Sequence, residues 1–335
     1  MHRSRTTGLF RIALLAGCVA AGLAGCAPEG TGGPKKYRIA VIPKGETHDF
    51  WKSIHAGAIS AARELGDVEV LWQGPLREDD REQQIQVVEQ FVAQGVDGVV
   101  LAPLDRRALK GPVEEGIAAG IPFLIIDSGL ESDKIISYVA TDNYHGGVLA
   151  ARRLADVLGG QGNAILLRYQ TGSESTEQRE AGFVDTLAKE FPNIKLISDD
   201  QEAGATRESA TQAMESLLNQ FGDVADGIFA PCEPVAYGCM RALEDSDRSG
   251  RIKLVGFDAT PAMVEALRAG TMHGLVLQDP FKMGELGVKM MVDHLQGKAI
   301  AKRVPTGEVV VTQENIDEPD MVRLHSPDLS PYLGG

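Results

Sequence analysis

From residue 37 to residue 126 the chain alternates between short aliphatic runs and amphipathic stretches, and after one break it does so again. Residues 37–43, 68–71, 98–102 and 123–126 read as strands. Residues 50–65 read as a helix with Ile54, Ala58, Ala61 and Leu65 on one face. Further helices are expected at 81–94, with Ile85, Val88 and Val92 inward, and at 109–119. Strands that are apolar throughout, separated by helices, indicate a parallel sheet buried on both faces. The break covers residues 135–147, where Tyr138-Val-Ala-Thr-Asp-Asn leads into Gly146-Gly147. Strands then follow at 164–167, 195–198, 227–230, 253–257 and 274–278, with helices near 177–190, 207–219, 235–244 and 261–269. The expected fold is therefore α/β, two doubly wound parallel-sheet lobes of similar size. A helix at about 282–296 and a strand at 308–312 read as exchange segments between them. The first lobe is expected to take residues 37–141 with 279–308, and the second 142–278 with 309–325.

Ahead of this pattern stands a leader. Arg3, Arg5 and Arg11 precede a short apolar run, and residues 23–26 read Leu-Ala-Gly-Cys. Such a stretch is a secretory signal in form, and its end resembles a bacterial lipobox. The resemblance implies removal of residues 1–25 and lipidation of the Cys26 thiol. The run is shorter than the ~20 residues that span a bilayer. Residues 26–36 are rich in Gly and Pro and read as a flexible tether. Removing the leader removes three Arg and no acid, leaving 30 basic against 47 acidic side chains, a net charge of −17. That surface repels nucleic acid and anionic headgroups, so neither is an expected partner. Cys232 and Cys239, seven residues apart, are too distant on one helix for a disulfide. The His residues are scattered without metal-ligand spacing, so no metal or other cofactor is expected.

In open parallel sheets, ligands bind beyond the carboxyl ends of the strands. Past the first strand come Lys44, His48, Phe50 and Trp51. Asp127 follows the strand at 123–126, Cys232 and Glu233 that at 227–230, and Asp258 that at 253–257. Gln278 ends its own strand, and Arg179 opens the run Arg-Glu-Ala-Gly-Phe. Rings that cover an apolar C–H face, with carboxylate, guanidinium and amide groups beside them, suit a polyhydroxyl ligand. Taken singly, each has a plain alternative. Phe50 and Trp51 can be core residues of a first helical turn, and Asp127 and Asp258 can be turn or cap residues. Arg179 can bridge Glu180 or Asp185, and Cys232 can be a small buried hydrophobe.

Several runs, in this order and spacing, resemble the ribose-binding class of periplasmic binding proteins: IAVIPKGETHDFW (39–51), GVDGVVLAPLD (95–105), IPFLIID (121–127), ATDNYHGG (140–147), REAGF (179–183), LVGFDATP (254–261) and GLVLQDPFKMGELG (274–287). The resemblance covers residues 37–312. It implies two Rossmann-like lobes joined by three crossovers, which close on a ligand and dock on the permease of an ABC transporter. Carried over by position, the pocket comprises Lys44, His48, Phe50, Trp51, Asp127, Ser128, Arg179, Cys232, Asp258 and Gln278. His48 and Cys232 stand where the family pattern has Asn, and Ser128 where it often has Arg. Lys44 replaces a small or polar residue, and an aromatic near Ala205 is absent. Lys44 is read as supplying the charge missing at Ser128, which would admit an acidic or modified sugar.

The expected function is thus a monomeric, lipid-anchored receptor outside the cytoplasm that delivers a small carbohydrate to an ABC importer. Presentation of the ligand to a chemoreceptor or histidine kinase uses the same surfaces, and a non-sugar ligand remains open. Catalysis is not expected. The chain carries no G-x-S-x-G elbow, no P-loop and no G-x-G-x-x-G after a strand.

Overall fold

The computed structural model describes residues 36–334. The expected leader, the Cys26 lipid site and most of the tether lie outside the described residues.

The first lobe runs β1 (Tyr37–Ile42), α1 (Asp49–Leu65), β2 (Val68–Trp72), α2 (Arg81–Ala93), β3 (Gly98–Leu101), α3 (Lys110–Ala118), β4 (Phe123–Ile126) and β5 (Ser137–Ala140). The second runs α4 (Asn143–Val157), β6 (Gly162–Leu166), α5 (Glu174–Glu190), β7 (Ile194–Ser198), α6 (Arg207–Phe221), β8 (Gly227–Phe229), α7 (Glu233–Asp245), β9 (Lys253–Phe257), α8 (Pro261–Arg268) and β10 (Gly274–Gln278). The chain closes with α9 (Pro280–Leu295), β11 (Arg303–Pro305), β12 (Glu308–Val311), α10 (Pro319–His325) and α11 (Ser330–Leu333). Two six-stranded sheets result, ordered β11-β5-β4-β3-β1-β2 and β12-β10-β9-β8-β6-β7. All pairings are parallel except that of β10 with β12.

Alternate residues of each strand enter different cores. Ile39 and Val41 face α1 and α9, whereas Ala40 and Ile42 face α2 and α3. In the second lobe Ala164 and Leu166 pack toward α4 and α5, and Ile165 toward α6 and α7. Both faces are dry, which is why the strands read as unbroken apolar runs.

The chain passes between sheets three times: from β5 to α4, from β10 to α9, and from β11 to β12. The crossings are tied together. Thr141 Oγ1 donates to Gln278 Oε1 at 2.7 Å, and the Thr306 N–H donates to the Ala140 carbonyl at 3.0 Å.

Within the expected break, residues 137–140 form a strand and residues 143–157 a helix that the apolar pattern did not reveal. The Gly pair that closes the expected break lies inside α4. A Cβ on Gly147 would stand 1.9 Å from the Arg179 carbonyl oxygen, and one on Gly182 of α5 would stand 2.0 Å from that of Tyr144. These glycines let two helix backbones touch. The first lobe repeats the device. A Cβ on Gly57 of α1 would stand 1.9 Å from the Phe281 carbonyl oxygen, and one on Gly284 of α9 would stand 2.0 Å from that of Ile54. Also unanticipated are β11, α10 and α11. Met321 and Leu324 of α10 pack on the second lobe, and Tyr332 of α11 packs edge-on against Phe281. No helix among the described residues is long and apolar enough to cross a membrane.

Ala normally favours a helix over Gly by about 1 kcal/mol. At Gly147 the sign should reverse, because the new methyl meets a backbone carbonyl that cannot rotate away, and overpacking costs about 1–3 kcal/mol or more. Gly147→Ala should therefore lower the melting temperature measured by calorimetry. An unchanged or raised value would show that α4 and α5 separate freely.

Candidate functional site

The carboxyl ends of both sheets face one another across a narrow cleft lined from both lobes, the place where ligands of open parallel sheets bind. The floor is built from residues that leave their strands in a matching way. Asp127 follows β4 and Asp258 follows β9, each the fourth strand of its lobe. Both take left-handed backbone conformations, with φ of 61° and 64°. Asp tolerates this region better than most residues, yet it remains uncommon and clusters at functional sites. The Asp127 N–H donates to the Val139 carbonyl at 3.1 Å and the Asp258 N–H to that of Val276 at 2.9 Å. The two turns are thus held alike.

Arg179 enters from the second turn of α5 and is buried. Its Nε donates to Asn143 Oδ1 at 2.9 Å and its Nη1 to the Pro231 carbonyl at 3.0 Å. Its guanidinium lies 3.9 Å from the Phe257 ring centroid, a cation–π contact. No protein acceptor meets Nη2 among the described residues. Asn143 begins α4, so the helix contact at Gly147 and Gly182 also sets where this guanidinium is held. Asp258 Oδ1 accepts from Gln278 Nε2 at 2.7 Å, and its Oδ2 from the Glu233 N–H at 3.3 Å. Burial pushes the Asp258 carboxyl above its ordinary range, against the opposing pull of Arg179 and Gln278.

The opposite wall comes from the loop after β1 and the start of α1. Phe50 and Trp51 meet edge to face with centroids 4.9 Å apart. The Trp51 Nε1–H does not face the cavity freely; it donates to Glu78 Oε1 at 2.6 Å. His48 Nδ1 lies 2.8 Å from that same oxygen and 3.4 Å from Glu233 Oε2. Burial would lower the His48 pKa, but the hydrogen bond to Glu78 and the charges of Glu78 and Glu233 together raise it above the ordinary value. Glu78 is the mirror case. Burial alone would raise its carboxyl, yet His48, Trp51 and Lys44 hold it low. Burial raises the Glu233 carboxyl despite His48 and Arg207, and it pushes the Cys232 thiol well up. Cys232 is therefore a thiol, not a nucleophilic thiolate.

With this arrangement in view, known proteins can be compared. The periplasmic binding protein domain family matches residues 39–299. The chain belongs to that family. The ribose import binding protein of Bacillus subtilis is 27% identical over 287 residues, covering 86% of this chain and 91% of that protein. A carbohydrate transporter solute-binding protein from Agrobacterium radiobacter, solved with D-arabinose, is 30% identical with a TM-score of 0.83, covering 87% of this chain and 99% of that one. An ABC transporter solute-binding protein from Agrobacterium vitis, solved with D-fucose, is 32% identical with a TM-score of 0.82, covering 86% of this chain and 99% of that one. This periplasmic binding protein is accordingly an extracytoplasmic solute-binding protein of the type I architecture rather than an enzyme.

Nine of the ten residues expected in its pocket line the cleft: Lys44, His48, Phe50, Trp51, Asp127, Arg179, Cys232, Asp258 and Gln278. Ser128 does not line it. Its Oγ is fully buried and accepts the Ser175 N–H at 3.1 Å, holding the first turn of α5. Lys44 also departs from its expected role. Its ammonium stands 3.0 Å from Asp127 Oδ2 and donates to Ser173 and Ser175 Oγ at 3.3 and 3.1 Å. The charge that was to meet an acidic ligand is neutralised within the protein. Arg179 reaches neither Glu180 nor Asp185, which pair with Arg168 and Tyr144.

Glu78, Tyr169, Ser173, Ser175, Thr176 and Glu233 also line the cleft. Tyr169 lies three residues past the end of β6 and Glu233 four past the end of β8; the strand-end rule reached Glu233 and missed Tyr169. Glu78 sits mid-loop after β2, with no local pattern to mark it.

Arg179→Lys tests whether the guanidinium's geometry matters. One ammonium cannot serve Asn143, Pro231 and Phe257 together, and each abandoned buried acceptor costs about 1–3 kcal/mol. The variant should unfold at lower denaturant concentration than wild type. An unchanged midpoint would mean that neither hydrogen bond contributes to stability.

Proposed function

We propose that this protein captures a neutral polyhydroxyl ligand, a sugar or sugar alcohol, between its lobes and delivers it to an ABC importer. The observation that carries this reading is the pair of matched left-handed aspartates, Asp127 and Asp258, beside Arg179 and below the Phe50–Trp51 wall. A carboxylate accepts from hydroxyls and a guanidinium donates to ring or hydroxyl oxygens. The aromatic pair covers an apolar C–H face.

Hydrogen-bonding capacity favours a neutral ligand over an acidic one. Lys44 is engaged by Asp127, His48 by Glu78, and Arg207 Nε donates to Glu233 Oε1 at 2.7 Å. Among the described residues, two buried carboxylate oxygens have no hydrogen-bond donor: Asp127 Oδ2, which Lys44 approaches off the bonding direction, and Glu233 Oε2. Buried acceptors without donors are costly, so the ligand best suited to this cleft brings O–H groups to them. A ligand carboxylate would bring more acceptors. Relatives described as binding ribose, xylitol and D-arabinose agree in chemical class.

Denatured and refolded protein should be titrated with pentoses, hexoses, sugar alcohols and sugar acids while tryptophan emission and melting temperature are followed. Trp72 stacks on His55 at 4.3 Å, outside the cleft, and provides an internal reference. A neutral sugar or alcohol should give a saturable signal lost in Trp51→Phe, with a stabilisation of about 2.7 kcal/mol at a hundredfold excess over Kd. Asp258→Asn should weaken it by about 10- to 100-fold. Binding confined to sugar acids would overturn the reading.

The lipid anchor at Cys26 is part of the same proposal. A tethered receptor stays near the importer it serves. Full-length Cys26→Ser should move from the membrane fraction to the soluble fraction, and retention in the membrane would remove the anchor from the scheme.

A further inference from the structure

The Glu78 carboxylate is held from several sides, and each of its bonds runs to a group of the protein. Three donors converge on its carboxylate. Trp51 Nε1 and His48 Nδ1 reach Oε1 at 2.6 and 2.8 Å, and the Tyr169 hydroxyl reaches Oε2 at 2.8 Å. Trp51 and His48 belong to the first lobe with Glu78, whereas Tyr169 follows β6 in the second. The Gln170 side chain, also from the second lobe, donates to the Glu78 carbonyl at 3.0 Å. Gly45 makes room for the stem, since a Cβ there would lie 2.8 Å from Glu78 Cγ. The carboxylate therefore fixes two wall residues and grips the opposing lobe at once.

We infer that Glu78 is the positioning residue that latches the two lobes together and orients Trp51 and His48 as the cleft closes. The inference rests on the proposal that the cleft closes on a ligand, but it concerns a contact within the protein. When the lobes part, the Tyr169 and Gln170 bonds break, while the Trp51 and His48 bonds stay within one lobe. Glu78 thus makes closure and wall geometry one event. The charged groups around it bear this out. His48 faces Glu78 from its own lobe and Glu233 from the start of α7, with Arg207 of α6 beyond, and Lys44 acts on Glu78 from the loop after β1. A neutral side chain at position 78 would leave the imidazole facing Glu233 alone, and its pKa would fall.

Glu78→Gln keeps the volume and one acceptor, so it isolates the charge. Dyes at Glu89→Cys on α2 and Glu215→Cys on α6, both exposed, report lobe separation by single-molecule energy transfer in refolded, ligand-free protein. His48 is followed in parallel by NMR titration of the imidazole. The expected result is a closed-to-open ratio lowered about 10-fold by Glu78→Gln, together with a His48 titration moved to lower pH. Tyr169→Phe, which removes only the inter-lobe donor, should lower the ratio and leave His48 in place. Equal ratios in wild type and Glu78→Gln, including both wholly open, would overturn the inference, as would an unmoved His48 titration. Since no ligand is present, the latch can stand even if the sugar proposal fails.

Discussion

Two helix contacts made without side chains between them hold the architecture together. In each lobe a glycine on one helix meets a backbone carbonyl of its partner and receives a carbonyl against a glycine in return. Gly57 and Gly284 join α1 to α9; Gly147 and Gly182 join α4 to α5. In both pairs one member arrives directly from a crossing: α9 enters the first lobe after β10, and α4 enters the second after β5. Each lobe is therefore completed by a helix that begins at the hinge. A shift in helix spacing would move the hinge ends as well as the core, because close-packed interiors transmit strain.

The site inherits its precision from these contacts. Asn143, the first residue of α4, accepts from Arg179 on α5, so the crossing that seals the second lobe also aims the guanidinium. The crossing residue Gln278 accepts from Thr141 and donates to Asp258, linking two hinge strands to one wall carboxylate. Asp127 and Asp258 then stand at equivalent strand ends with the same backbone conformation. The two lobes thus offer similar groups to the cleft from opposite sides. The strain of two left-handed residues, about 1–3 kcal/mol each, is held in place by the same sheet hydrogen bonds that end β4 and β9.

Much of this was legible because the strands are dry on both faces. Continuous apolar runs located nearly every central strand, and the rule that ligands gather at strand ends drew out Asp127, Cys232, Asp258 and Gln278 before any geometry was known. What escaped notice did so for physical reasons. Gly146-Gly147 carries the turn-like composition of a loop, although its glycines serve a helix crossing, and helix α4 was hidden behind them. Ser128 follows a pocket residue in sequence, but the left-handed turn at Asp127 sends it inward toward α5. Lys44 has the charge to meet an acid, yet Asp127 after β4 and Ser173 and Ser175 at the start of α5 already surround it. Glu78 lies on a loop, and its partners come from α1 and from the far lobe. No local window contains the long-range pairings that define such residues.

On the proposed reading, those pairings also explain how an acidic cleft serves a neutral guest. Glu78, Asp127, Glu233 and Asp258 line it, and Lys44, His48, Arg179 and Arg207 stand against them. Charge is nearly balanced by the protein, while hydrogen bonds are not. Among the described residues two buried acceptor oxygens lack donors, and the polar ring nitrogens of Trp51 and His48 turn toward Glu78. A ligand entering this cleft meets an apolar ring surface on one side and unsatisfied acceptors on the other. On the proposed reading, hydroxyl groups complete the carboxylates and the sugar's C–H face covers the rings. Selectivity then rests less on any one residue than on an internal network that engages Lys44, His48 and Arg207 before the ligand arrives.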